Sequence, residues 1–234
     1  MNSIIIIPTY NERENIEALV ERILELNLGL SILIIDDNSP DNTGKIADEL
    51  SRKYKQVEVI HRLKKEGLGT AYIQGFRYCL ERGFEYIFTM DADFSHNPNY
   101  LKDFLDRING FDMVVGSRYT NGISVVNWPL KRIILSLFAN NYVRYITGMP
   151  LTDCTSGFNC FRKRVLENIN LDRITSQGYS FLVEIKYHVF KYKFRITEIP
   201  IIFVERREGQ TKMSLKEMLE ACFIPWKLRF GRTK

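Results

Sequence analysis

The 234-residue sequence contains no apolar run approaching the roughly 18 residues that a membrane-spanning helix needs. Its opening, "MNSIIIIPTYNE", lacks a basic start and has too short an apolar stretch for a signal peptide, so no leader is expected. Cysteine is sparse. Cys79, Cys154, Cys160 and Cys222 form neither a CxxC pair nor a metal-binding spacing, which predicts reduced thiols in a cytoplasmic protein. No GxGxxG follows the first strand-like run, so the dinucleotide fingerprint is missing. "GLGTAYIQG" (67–75) lacks the Gly-Lys-Ser/Thr of a Walker A loop. Its glycines either ease a helix start or let a ligand approach closely. RNP, helix-turn-helix and zinc-finger patterns are also missing, which argues against a nucleic-acid partner. There are no internal repeats and no low-complexity tracts.

What is present alternates. Ser3–Ile7 is a β-branched run that reads as a buried strand. "NERENIEALVERILEL" follows with Ile16, Leu19, Val20, Ile23 and Leu24 at helical spacing, and with Asn11 as N-cap and Glu14 three residues on. Strands are predicted at Ile32–Ile35, Val57–Ile60, Glu85–Met90 and Asp112–Arg118, and helices over about Asp41–Tyr54 and Gly69–Arg82. "GYSFLVEIKYHVFKY" (178–192) has a helical period that places His188 at a core edge rather than at a ligand. This βαβ order predicts an α/β domain with a mostly parallel, doubly wound sheet flanked by helices. In such sheets ligands bind beyond the carboxyl ends of strands. There lie "PTYNE", "DDNSPDNT" and "DADFSH", three polar clusters that converge on one expected site.

Charge divides along the chain. Residues 1–110 carry 13 Lys+Arg against 18 Asp+Glu, a balance of −5; residues 111–234 carry 20 against 10, a balance of +10. An acidic first half suits a cation, and a basic second half suits phosphate or an anionic membrane surface. "MDADFSHNP" (90–98) sharpens the point. If the strand ran on, Asp91 and Asp93 would face the same way with Ala92 between them, and their repulsion would need a cation to offset it. A hard divalent ion on two oxygen ligands satisfies that need. The plainer reading is a solvated turn in which Asp93 or Ser95 caps the helix opened by Pro98.

Taken together, "IPTYNERENI", "IIDDNSPDNT", "GLGTAY", "MDADFSHNP", "GSRY", "TSGF" and "FVERREGQTKMSLKEM" resemble the dolichol-phosphate mannosyltransferases of glycosyltransferase family 2, from about residue 3 to 221. The resemblance implies a GT-A fold and inverting, Mg²⁺- or Mn²⁺-dependent transfer of mannose from GDP-mannose to a polyprenyl (dolichyl) phosphate. The expected location is the cytoplasmic membrane face, with an anionic membrane surface and a small membrane-anchoring subunit as candidate partners. It places Pro8, Tyr10, Glu12, Ile35 and Asp37 at the guanosine, and Asp91, Ala92 and Asp93 at the metal and diphosphate. Arg118, Arg206 and Lys212 fall at the donor phosphates, and Arg132 and Ser136 at the acceptor phosphate. Catalysis would rest on Asp93, Arg118 and Arg132. Where some relatives carry Gln two residues after the second Asp, this chain has Ser95, a weaker ligand. Asp153 either orients a ligand or is an ordinary loop residue. UDP-glucose as donor, or a non-catalytic sugar-nucleotide-binding subunit, are the alternatives.

Residues 222–234 read as an amphipathic basic tail after a catalytic domain over 1–221. Ser214 and Glu217 have capping-box spacing, and Leu215, Met218, Leu219, Cys222, Phe223 and Trp226 form an apolar stripe. "WKLRFGRTK" then interleaves Trp226, Leu228 and Phe230 with Lys227, Arg229, Arg232 and Lys234, a pattern suited to anionic headgroups.

Overall fold

The structure, a computed structural model, describes residues 2–205 and 215–231, with side chains from Glu220 onward in the second segment. Arg206, Lys212 and the Ser214–Glu217 pairing lie outside what it describes. In chain order the elements are β1 (Ser3–Thr9), α1 (Ile16–Glu25), β2 (Leu30–Asp36), α2 (Thr43–Lys53), β3 (Val57–His61), α3 (Leu68–Glu81), β4 (Tyr86–Thr89), α4 (Leu101–Ile108) and β5 (Met113–Ser117). Then come β6 (Val125–Val126), α5 (Leu130–Thr147), β7 (Asn159–Arg162), α6 (Lys163–Asn168), α7 (Gly178–Lys191), β8 (Ile196–Pro200), β9 (Phe203–Val204) and α8 (Leu215–Phe230).

Seven strands form one sheet in the order β3-β2-β1-β4-β7-β5-β8, and β6 pairs with β9 in a small ribbon. All neighbours in the large sheet are parallel except β7, which runs antiparallel to both β4 and β5. β1 explains why the sheet is covered on both sides. Ile4 and Ile6 point into a core shared with α3, α6 and α7, whereas Ile5 and Ile7 point into one shared with α1, α2 and α4. All four are fully buried, so an uninterrupted isoleucine run is what this position demands. Pro8 fits because Thr9 O accepts from Asp37 N on one side, while the β1–β4 pairing on the other side has already ended at Ile6. The amide hydrogen that proline lacks is not needed there.

Chain order reverses between β1 and β4, and this opens the crevice beyond their carboxyl ends. Two local expectations change. Asn11 does not cap α1: it has φ +60°, and the helix begins at Ile16, where Glu12 O accepts the first amides, from Asn15 and Ile16. β4 ends at Thr89, so strand alternation does not orient Asp91 and Asp93; a turn does. Neither Asp93 nor Ser95 caps the turn at Pro98, since Asn97 accepts from Asn99 N there.

Candidate active site

The crevice is a cavity of about 1070 Å³ that runs from the ends of β1 and β4 to a groove between α5 and α8. Pro8, Tyr10 and Glu12 line its far wall with Asp37. The Lys65 ammonium lies 3.6 Å from the centre of the Tyr10 ring, a cation–π contact at the mouth. The Asp37 carboxylate is occupied: it accepts from Glu66 N and Gly67 N and pairs with Arg62 at 2.9 Å. Its role in the wall is to hold the loop leading into α3. Ile35 is not at this wall. It is fully buried in the α3-side core, its Cδ1 only 2.9 Å from where a Cβ on Gly75 would stand. Its side chain is given to the helix layer, so only its backbone could meet a nucleoside.

Asp91, Ala92 and Asp93 form the floor. The turn is tight: Asp93 Oδ1 accepts from Ser95 N at 3.1 Å, and Phe94 adopts φ +59°, a strained backbone for an aromatic residue. The two carboxylates sit at different depths, with Asp93 buried and Asp91 part-exposed to the cavity. Behind them His96 is buried between Phe158 and Phe203, ring centres at 5.2 and 5.3 Å. Its Nδ1 lies 3.3 Å from Asp91 N and accepts that amide. Burial pushes the imidazole down to about 4, so it is neutral near pH 7 and its 3.7 Å approach to Asp91 Oδ2 is no ion pair. Gly157 completes the floor, because a Cβ there would stand 3.2 Å from Asp91 Oδ1.

Arg118, at the end of β5, is clamped by Asp153. Nε and one terminal nitrogen each lie 2.6 Å from a carboxylate oxygen, and the same terminal nitrogen reaches Thr155 Oγ1 at 2.7 Å. Burial opposes both charges, but the pairing outweighs it, holding the carboxyl below its ordinary range and the guanidinium above. Lys186 on α7, fully buried, donates to Ser156 O at 2.6 Å and fixes the same loop; burial pushes its ammonium down to about 8. Arg132, in the first turn of α5, stacks over Trp128 at 4.0 Å and pairs with Glu205. Ser136 accepts from Tyr119 OH at 2.7 Å. Both line the cavity.

Beyond them the walls become apolar, with Leu135, Phe138 and Val143 of α5 facing Ile224 and Pro225 of α8. α8 runs continuously across the expected boundary at residue 222. Ile224 and Leu228 join the α3-side core, while Phe223, Trp226 and Phe230 stay exposed. On α5, Leu130, Ile134, Leu135 and Phe138 are exposed too. No described helix is long and apolar enough to cross a membrane.

Lys65, His96 and Lys186 were not among the expected site residues, and Asp153 had been left open between a ligand-orienting and an ordinary loop residue. His96 sat within a quoted motif, yet a buried imidazole has no sequence signature of its own. Lys186 lay hidden in a helix whose apolar period alone was legible.

The family description of glycosyl transferase family 2 matches residues 4–169. The chain is 42% identical over 231 residues to polyprenol monophosphomannose synthase of Mycolicibacterium smegmatis, covering 97% of this chain and 87% of the relative. It is 42% identical over 214 residues to undecaprenyl-phosphate mannosyltransferase of Micrococcus luteus, covering 92% and 88%. Among solved structures, glucosyl-3-phosphoglycerate synthase of Mycobacterium tuberculosis, in complex with Mn²⁺, UDP and glucosyl-3-phosphoglycerate, matches with a TM-score of 0.70. That match covers 99% of this chain and 81% of the other at 16% identity, a likeness of fold. A mostly parallel sheet of GT-A type, the carboxylate floor at its reversal point and this kinship agree: the chain is a glycosyltransferase and belongs to glycosyl transferase family 2.

Proposed function

We propose that the protein transfers mannose from GDP-mannose to a polyprenyl (dolichyl) phosphate, with inversion, on the cytoplasmic face of a membrane. One observation carries the reading. A single cavity joins a carboxylate pair and a buried arginine at one end to an apolar groove between α5 and α8 at the other. A nucleotide-sugar suits the first end, and a phosphate on a long hydrocarbon suits the second. The names of the 42%-identical relatives support both halves.

A divalent cation, Mg²⁺ or Mn²⁺, fits the floor. Asp91 and Asp93 offer hard oxygen ligands, and the glycine at 157 leaves room beside Asp91. Ser95 Oγ, buried and without a partner among the described residues, is an additional oxygen in the turn. Among the described residues no group of three His, Cys, Asp or Glu side chains could hold a metal, so diphosphate and water would complete the coordination shell. When bound, the cation would offset negative charge as the sugar's bond to the diphosphate breaks.

The chain's own residues then have distinct tasks. Tyr10, Glu12 and the loop pinned by Asp37 flank the nucleoside. Arg118, fixed in direction by Asp153, presents positive charge toward the donor phosphates. Arg132 and Ser136 meet the acceptor phosphate at the start of the groove. An oxygen of that phosphate attacks the anomeric carbon from the face opposite the leaving GDP. A phosphate monoester is largely ionised near pH 7, its second pKa being about 6, so no protein base is required. Asp153, already engaged by Arg118, is not positioned to be one.

The exposed apolar residues of α5 and α8, with Lys131, Lys227 and Arg229 near them, support peripheral attachment to an anionic membrane. The test of the reaction is product analysis with radiolabelled GDP-mannose and UDP-glucose, each given a polyprenyl phosphate and Mn²⁺. Label should enter lipid from GDP-mannose; incorporation from UDP-glucose alone would overturn the donor, and incorporation from neither would overturn the reaction.

A further inference from the structure

Tyr72 stands one turn into α3, fully buried. Its ring lies between Phe76 and Phe181, with centres at 6.1 and 5.7 Å and planes nearly parallel. A phenylalanine would fill that stack equally well. The hydroxyl, however, has no hydrogen-bond partner among the described residues. Burying a hydroxyl in this way costs stability, and such a group calls for a physical reason.

The surroundings supply one. Leu68 and Ala71, four residues and one residue before Tyr72, line the cavity, as do Ser180 and Leu182 on either side of Phe181. Tyr72 therefore forms the layer immediately behind the cavity wall where α3 meets α7. The charges that act on its phenol are those of Asp91 and Asp93, which add to burial in raising its pKa well above the ordinary value. It is thus a protonated donor near the two carboxylates, and its hydrogen has no acceptor among the described residues.

We propose that Tyr72 is a positioning residue of the donor site, its hydroxyl reserved for an anionic oxygen of the Asp91–Asp93 layer once cation and nucleoside diphosphate are bound. The proposal rests on the reading of this cavity as a nucleotide-sugar site. It separates two quantities that a merely structural tyrosine would change together. Removing an unpartnered hydroxyl relieves the resting protein, whereas removing a bond made only in the complex weakens the complex.

The experiment compares the full chain with its Tyr72→Phe variant. Thermal unfolding is followed without ligand, and GDP is titrated calorimetrically in the presence of Mn²⁺. The variant should melt at or above the wild-type temperature when unliganded, yet bind GDP–Mn²⁺ about 10-fold or more weakly, the range for a hydrogen bond to a charged group. Equal affinity in the two proteins would overturn the proposal. So would a lower melting temperature of the unliganded variant, because the hydroxyl would then already have a partner. If wild-type protein bound no GDP with Mn²⁺, the nucleotide-site reading itself would fall, an outcome distinct from either of these.

Discussion

Arg118 and Asp153, 35 positions apart in sequence, meet as a two-pronged ion pair from which solvent is nearly excluded. Three bonds join them, because Arg118 N also donates to Asp153 Oδ2 at 3.1 Å. Breaking such a pair leaves a buried charge without its counterion. Asp153→Asn should cost about 3–5 kcal/mol. For a domain of this size that is roughly 6–20 °C of melting temperature. Urea unfolding of the two proteins checks it, and a change below about 1 kcal/mol would show that Arg118 finds other compensation.

The floor carboxylates give a second expectation. Asp93→Asn should lower turnover by about 10²-fold or more if cation charge stabilisation contributes several kcal/mol. Wild-type activity should vanish in excess EDTA and return with Mn²⁺ or Mg²⁺. Full turnover by the variant in EDTA would remove the cation from the scheme.

Arg132 separates the two substrates. Arg132→Ala should raise the KM for lipid phosphate or lower kcat by about 10- to 100-fold, the range for hydrogen bonds to a charged group. Affinity for GDP should stay within about 2-fold, since Arg132 stands on α5 with Trp128 and Glu205, away from the Tyr10 wall. A parallel loss of GDP binding would assign Arg132 to the donor.

How far the sequence discloses this architecture depends on how much periodicity each element carries. Ser3–Thr9 and Leu30–Asp36 are buried on both faces, and their isoleucine runs announced them. The polar clusters beyond the ends of these strands and of β4 pointed to one crevice. β7 was not legible: four residues after a polar glycine loop have no period with which to declare a strand or its direction. That the Ile35 side chain packs into the α3-side core was not legible, because membership in a motif does not say which face of a strand a side chain takes. On α8 the stripe through Cys222, Phe223 and Trp226 did not say which residues would pack, and Leu228 was read with the residues suited to headgroups. Packing chose Ile224 and Leu228 instead.

Acid should loosen the fold through Asp112, remote from the cavity. Burial favours its neutral form, but Arg164 Nε at 2.9 Å and Arg195 N at 2.8 Å outweigh this and hold its carboxyl below the ordinary range. The folded state then binds fewer protons than the unfolded state, so this contribution is complete above the unfolded pKa of about 3.9 and is lost as pH falls through the lower folded value. Asp112→Asn should be clearly less stable than wild type at pH 7, and the gap should narrow by pH 3. A gap independent of pH would show that the charge plays no part.

Membrane attachment is tested on the exposed face of α8, since cutting the chain at Ile224 would also remove Leu228 from the core. A Phe223→Ser, Trp226→Ser, Phe230→Ser variant should sediment with anionic liposomes at least about 10-fold less than wild type, since three large apolar contacts are lost. Wild-type binding should weaken with salt. Equal sedimentation of both proteins would remove α8 as the anchor.

β7 also has a consequence for how the chain assembles. β4 and β5 are complete by residue 117, yet the strand that must lie between them spans residues 159–162. β1 to β4 can pair among themselves as they leave the ribosome, but one edge of β4 waits for about 70 further residues, roughly 4–14 seconds at typical synthesis rates. An open, apolar strand edge of that kind invites pairing with another chain. Pulse-labelled hydrogen exchange during refolding should show β1–β3 amides protected before those of β7, and simultaneous protection would mean the sheet closes in one step. On this topology the last strand to arrive at the centre is also the one that brings Thr155, Ser156 and Gly157 to the floor, so a nascent chain has no finished active site until its sheet is sealed.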